Sequence, residues 1–99
     1  MDTNEAAGCL EALSNPTRLN IYRYLVQAGN SGSPVGDIQK RFDMPGSTLS
    51  HHIARLVRAN LVVQERQSRT LICKANFELM HVIISFLTQC CCSGVKKAE

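Results

Sequence analysis

The chain has 99 residues, 44% of them hydrophobic and 19% charged, with a formal net charge of +3. That length fits one compact domain, and the composition excludes a wholly disordered chain. It also excludes a membrane protein, because no apolar run approaches the ~20 residues that span a bilayer.

Ala6, Leu10 and Leu13 recur at helical spacing with Cys9 on the same stripe, which predicts a first amphipathic helix. Ser14-Asn15-Pro16 ends it and opens a second. Asn15 is a good N-cap, and Pro16 at the first helical position loses nothing by lacking an N–H. The second helix is expected to turn Leu19, Tyr22, Leu25 and Val26 inward and to stop at Ala28-Gly29-Asn30, a glycine C-cap signal. Ser31-Gly32-Ser33-Pro34 reads as an exposed loop. A short third helix carries Val35, Ile38 and Phe42 on one face, with Asp37 in its favourable first turn, and Met44-Pro45-Gly46 breaks it.

From Ser47 a fourth helix places Leu49, Ile53, Leu56 and Val57 on one face and Ser47, Thr48, Ser50, His51, Arg55 and Arg58 on the other. Asn60 ends it. Leu61–Arg66 and Thr70–Lys74 read as two strands joined by Gln67-Ser68-Arg69. Asn76 caps a last helix whose apolar set, Leu79, Val82, Ile83, Ile84, Phe86 and Leu87, covers more than half its circumference. Such a helix needs its own core and a partner subunit to bury it. Cys90-Cys91-Cys92 is expected to close it, with Ser93-Gly94 as the stop. The fold class is therefore mainly α with a small β-hairpin wing, a winged helix-turn-helix of order ααααββα, in a single domain spanning residues 1–99.

Charge follows the same division. Residues 1–37 balance at −2, residues 38–74 at +5, and residues 75–99 at zero. A basic middle third is the footprint of a polyanion-binding element, and the residue types suit DNA. Small hydroxyl side chains (Ser47, Thr48 and Ser50) let a helix sit deep in the major groove and bond phosphates or base edges. His51 and His52 are donors of medium reach, although His52 adjoins Ile53 and also fits a packed or capping role. Arg55 reaches a phosphate or a guanine edge, and Arg66 and Arg69 on the wing reach the neighbouring minor groove or backbone. The expected partner is double-stranded operator DNA.

Three segments now carry a family resemblance: Leu13-Ser14-Asn15-Pro16-Thr17-Arg18-Leu19, Ser47 through Leu56 with Ser50-His51-His52 at its centre, and Ala59-Asn60-Leu61-Val62. Together they resemble the ArsR/SmtB family of bacterial metalloregulatory repressors, over about residues 6 to 92. The resemblance implies a homodimer joined through the first and last helices, a palindromic operator, and release when an inducer binds. A dimer places its recognition helices about one DNA turn, ~34 Å, apart.

The inducer is read residue by residue. The stretch Pro34–Gln39, where one arsenic site of the family has a Cys-x-Cys pair, holds no cysteine. Of the carboxylate-and-histidine set used by zinc, cobalt and nickel sensors, the last helix has only Glu78 and His81, and His81 reads as a surface or interface residue. The end of that helix, Phe86–Cys92, resembles a second arsenic-sensing branch that closes with a Cys-Cys pair. Aligned from Leu87-Thr88, the pair falls on Cys91 and Cys92, with Cys90 an extra thiol. The branch often takes a third cysteine several residues further on, and the residues through Glu99 hold none.

Thiolates select soft ions, so Cys90, Cys91 and Cys92 are the expected ligands of As(III) or Sb(III) as inducer, with Cys9 or Cys90 as the third sulfur. No cofactor is expected for DNA binding itself. Adjacent residues on a helix point ~100° apart, so capture is expected to unwind the last turn. Cys73 reads as core, and Cys9 as core with a second role as a resolving thiol. The acidic Met1-Asp2-Thr3-Asn4-Glu5 start lacks the pattern of a secretory signal, so the expected location is cytoplasmic, with free thiols. The alternative input is thiol redox or persulfide chemistry on the same fold. An enzyme is not expected, since the chain lacks a Cys-x-x-Cys motif, a phosphate-cradling glycine loop and paired catalytic carboxylates.

Overall fold

Three of the five helices start on a side chain that captures a free backbone N–H. Asp2 accepts from Glu5 N at 2.8 Å, Asn15 from Arg18 N at 3.0 Å and Asn76 from Leu79 N at 3.2 Å. Each such cap is worth ~1 kcal/mol. A computed structural model describes residues 1–95. Its elements are α1 (Thr3–Ala12), α2 (Pro16–Ala28), β1 (Ser33–Pro34), α3 (Val35–Phe42), α4 (Gly46–Arg58), β2 (Val62–Gln67), β3 (Thr70–Ala75) and α5 (Phe77–Thr88). No helix among these residues is long and apolar enough to cross a membrane.

The core is the meeting of α2, α3, α4 and the sheet. Ile21, Leu25, Ile38, Leu49, Leu56, Leu61, Val62 and Cys73 are all but sealed from solvent. The α3 and α4 stripes read from the sequence hold, with Ile38, Leu49, Ile53 and Leu56 buried. Cys73 and Cys9 lie in the core as expected.

Four local expectations are corrected. On α1 the buried residues are Ala6, Cys9 and Ala12, while Leu10 faces out, so small side chains let this helix approach closely. On α2 the buried set is Arg18, Ile21, Tyr22 and Leu25, and Leu19 is exposed. The segment expected to be an exposed loop supplies β1 instead. Ser33 is buried and pairs with Cys73, giving an antiparallel sheet of order β1-β3-β2. Gly32 permits that approach: its φ is +68°, and a Cβ there would collide with the Cys73 carbonyl oxygen and the Ile72 and Lys74 side chains.

The fourth correction concerns the end of α5, which stops at Thr88 rather than at Cys92. The Thr88 hydroxyl donates to the Ile84 carbonyl at 2.8 Å, Gln89 turns extended, and Cys90 and Cys92 take φ of +57° and +61°. The three cysteines already stand outside the helix.

The hairpin β2–β3 turns at Ser68-Arg69, where Ser68 has φ +59°, and Lys74 Nζ donates to Glu65 across the strands at 2.7 Å. Asn76 closes its base, bonding the Leu61 carbonyl through its backbone N–H at 2.9 Å and the Asn60 carbonyl through its side chain at 2.8 Å. Of α5, only Ile83 is buried. The radius of gyration, 15.9 Å, exceeds the ~13 Å of a compact domain this long. Among the described residues, nothing covers the outer apolar side chains of the last helix, Val82, Ile84 and Leu87.

Candidate nucleic-acid interface and terminal thiols

The turn between α3 and α4 is short and fastened on both sides. Asp43 ends α3 in the left-handed region with its N–H on the Gln39 carbonyl at 2.9 Å, and Gln39 Nε2 donates to the Met44 carbonyl at 3.3 Å. That fixes how α4 leaves the core. Its buried stripe then dictates the outer face, where Ser47, Thr48, Ser50 and His51 are all exposed. No side chain caps the start of α4, so its first-turn N–H groups lie beside the Ser47 and Thr48 hydroxyls, a combination suited to phosphate oxygens. Arg66 and Arg69 are exposed on the wing, and neither joins an ion pair among the described residues.

His52 and Arg55 sit differently. His52 Nδ1 is 3.4 Å from Nη1 of Arg18, a buried arginine whose Nε donates to the Ala12 carbonyl at 2.7 Å. Arg55 Nη2 donates to both carboxylate oxygens of Glu11, at 2.8 and 3.0 Å. The structure thus gathers four of the six predicted α4 residues on the open face and turns two toward α1 and α2. Sequence reading missed Glu11 and Arg18. An arginine on the apolar stripe of Tyr22 and Leu25 was the signal for the second.

Burial, then the Arg18 charge, and then His51 and Arg55, hold the His52 imidazole below its ordinary value of 6.5. Because the folded value is depressed, the unfolded chain takes up the proton first as pH falls. The stability that neutral His52 supplies is complete above about pH 6.5 and is lost as pH falls through the folded value. Urea midpoints measured between neutral and mildly acidic pH should fall more steeply for the wild type than for His52→Gln. Parallel curves would show that this ring contributes nothing to acid sensitivity.

The thiols divide into two groups. Burial, reinforced by the Glu5 carboxylate, pushes Cys9 up, and burial pushes Cys73 up against a weaker hydrogen bond from Gln64. Both are poor sources of thiolate. Cys90, Cys91 and Cys92 are exposed, and the Cys91 and Cys92 sulfurs stand 3.5 Å apart. No cluster of three or more metal-ligating side chains occurs among the described residues. His81 is exposed on α5.

Residues 13–65, just over half the chain, match a family model described as a helix-turn-helix domain. The chain belongs to that family. This helix-turn-helix protein is 28% identical to the HTH-type transcriptional regulator YgaV of Escherichia coli (strain K12), over 89% of its own length and 87% of that protein. It is 31% identical to the nodulation protein NolR of Rhizobium meliloti, over 88% and 69% respectively. A solved homodimeric winged helix-turn-helix DNA-binding domain, Mb0332 from Mycobacterium bovis, is described as a possible ArsR-family regulator. It matches with a TM-score of 0.67 and 25% identity, covering 86% of this chain and 83% of that one. YgaV is a transcriptional regulator and Mb0332 a DNA-binding domain rather than an enzyme, and this helix-turn-helix protein is a DNA-binding transcription regulator with the winged-helix fold of ArsR-family proteins.

Proposed function

We propose that the protein is a homodimeric repressor of a palindromic operator, released when trivalent arsenic or antimony is captured by its terminal cysteines. The observation that carries the inducer is the exposed Cys91–Cys92 sulfur pair, 3.5 Å apart and immediately beyond α5. Metal–thiolate bonds of ~2.3 Å allow one ion to bridge sulfurs separated by up to ~4.6 Å, so this pair fits a soft ligand with little rearrangement. Cys90 is the nearest source of a third sulfur, since Cys9 is buried and its thiol is held protonated.

Operator reading falls to Ser47, Thr48, Ser50 and His51 on α4 and to Arg66 and Arg69 on the wing, with His52 and Arg55 behind them. The exposed apolar side chains Val82, Ile84 and Leu87 on α5, together with exposed Leu10 on α1, support a dimer through the first and last helices, and the similar Mb0332 domain is itself homodimeric. Capture at the end of α5 then acts where two subunits meet and re-spaces the two reading heads. Cysteines beyond the helix need no unwinding of it, which lowers the cost of the switch. DNA binding itself needs no cofactor, and a reducing cytoplasm keeps the thiols free.

The same sulfur pair favours one other reading, a thiol-redox or persulfide-sensing repressor. Fluorescence anisotropy with a duplex enriched by the protein from a random pool separates the two. Under anaerobic reduction, arsenite or antimonite should release the duplex and zinc should not. Release only by oxidant or persulfide, reset by reductant, would replace arsenic with redox as the input.

A further inference from the structure

The two arginine contacts described above begin at one place. Glu11 and Ala12 are neighbours in the last turn of α1, and each is tied to α4 through a guanidinium. We propose that the end of α1 sets the angle at which α4 meets DNA, with Glu11 and Arg18 as positioning residues and Arg55 and His52 as their attachment points on the helix. The inference rests on α4 being the reading helix.

Arg18 is only 7% exposed, and its guanidinium is committed on two sides, to the Ala12 carbonyl and to the His52 ring. A guanidinium offers donors only, so Nδ1 of neutral His52 accepts and the ring proton resides on Nε2. Protonation would set a cationic ring against Arg18, with His51 and Arg55 also adding charge nearby. Glu11 takes the place of a phosphate at Arg55: two carboxylate oxygens occupy one terminal nitrogen, and the side chain is drawn toward α1. His52 and Arg55 lie three residues apart, on the same side of the helix. Between them they resist rotation of α4 about its own axis, the movement that would carry Ser47, Ser50 and His51 off the base edges.

An Arg55 that grips DNA and an Arg55 that braces α4 make opposite predictions when Glu11 is neutralised. Operator affinity should be measured by anisotropy over a range of salt with the enriched duplex, for wild type, Glu11→Gln, Arg55→Gln and the double variant. Glu11→Gln and Arg55→Gln should each weaken binding by about three- to fivefold, in line with a partly exposed ion pair, and the double variant should be no worse. All four should share one slope of log affinity against log salt. The inference is overturned if Glu11→Gln tightens binding while Arg55→Gln flattens the slope by ~0.9, the mark of a lost phosphate contact.

The Arg18 half is tested without a core substitution. Ring 15N spectra of the free protein at neutral pH should show His52 as the Nε2–H tautomer, and a Nδ1–H or mixed ring would refute that half. This measurement needs no DNA, so it decides the point even if the random pool enriches no sequence, a failure that would count against operator binding itself.

Discussion

An Ile84→Glu, Leu87→Glu variant should be a folded monomer that binds operator at least ~100-fold more weakly than wild type. Ile84 is 50% exposed and Leu87 60% exposed, on a helix whose only buried residue is Ile83. Neither side chain supports the core formed by α2, α3, α4 and the sheet, so circular dichroism and the urea midpoint should change little. Across the proposed two-fold interface the pair becomes four side chains, and burying the exposed half of each is worth about 1–1.5 kcal/mol. Glutamate forfeits that and adds the cost of burying a charge without a partner. The loss of DNA affinity follows from losing the link between two heads. Once one head is bound, a second on the same dimer meets its half-site at an effective concentration in the millimolar range, and a monomer has no such advantage. Sedimentation velocity and anisotropy on the same preparations check both parts. A variant that still sediments as a dimer would move the interface away from α5.

The second large effect should come from Cys91→Ser with Cys92→Ser. Serine keeps the shape of cysteine but replaces a soft thiolate with a hard hydroxyl, so the arsenite needed for release should rise by at least about two orders of magnitude. Operator affinity without inducer should stay within about twofold, because exposed substitutions rarely move stability beyond ~0.5 kcal/mol. Both residues are exposed beyond α5 and far in sequence from α4 and the wing. Cys73→Ala serves as a control for a buried thiol and should leave the response intact. Cys90→Ser separates two- from three-sulfur capture: a response near wild type means Cys91 and Cys92 suffice. Undiminished release from the Cys91→Ser, Cys92→Ser protein would refute terminal capture altogether. In the proposed mechanism a ligand shifts the equilibrium only by its differential affinity for two dimer arrangements, so loss of capture and loss of release should coincide.

Much of this was legible in the residues. Asn15-Pro16 and Asn76 announce helix starts because a short polar side chain fits the geometry of a cap, and the α4 stripe is unambiguous because Leu49, Ile53 and Leu56 are large and regularly spaced. The wing follows from two β-rich runs around a polar turn. On α1 the same method misleads, since small residues bury as well as leucine when a helix packs closely, and periodicity counted over Leu10 and Leu13 overlooks Ala12. The short strand at Ser33-Pro34 leaves no periodic trace; it exists because Gly32 lets the chain lie against β3, which is a tertiary fact. On the reading face, residue type identified the hydroxyls and His51. It did not foretell that His52 and Arg55 would be taken up by Arg18 and Glu11, residues 34 and 44 positions away along the chain. The terminal cysteines were found by chemistry, while the end of α5 depended on the Thr88 hydroxyl turning back onto Ile84.

The two hydrogen bonds that Asn76 donates to the carbonyls of Asn60 and Leu61 have a consequence for how this protein can vary. They seal the hairpin at its root, where Val62, Cys73 and Ala75 sit in the core, so the exposed tip around Gln67–Thr70 projects from two ends that are held together. Lengthening the turn at Ser68 costs only slowly growing loop entropy, ~0.6 kcal/mol for each doubling. Reach along the DNA can therefore drift between lineages, or be redesigned, without touching the core. A fluorophore carried at exposed Ser68 would report on duplex proximity from the tip of the wing, away from the core.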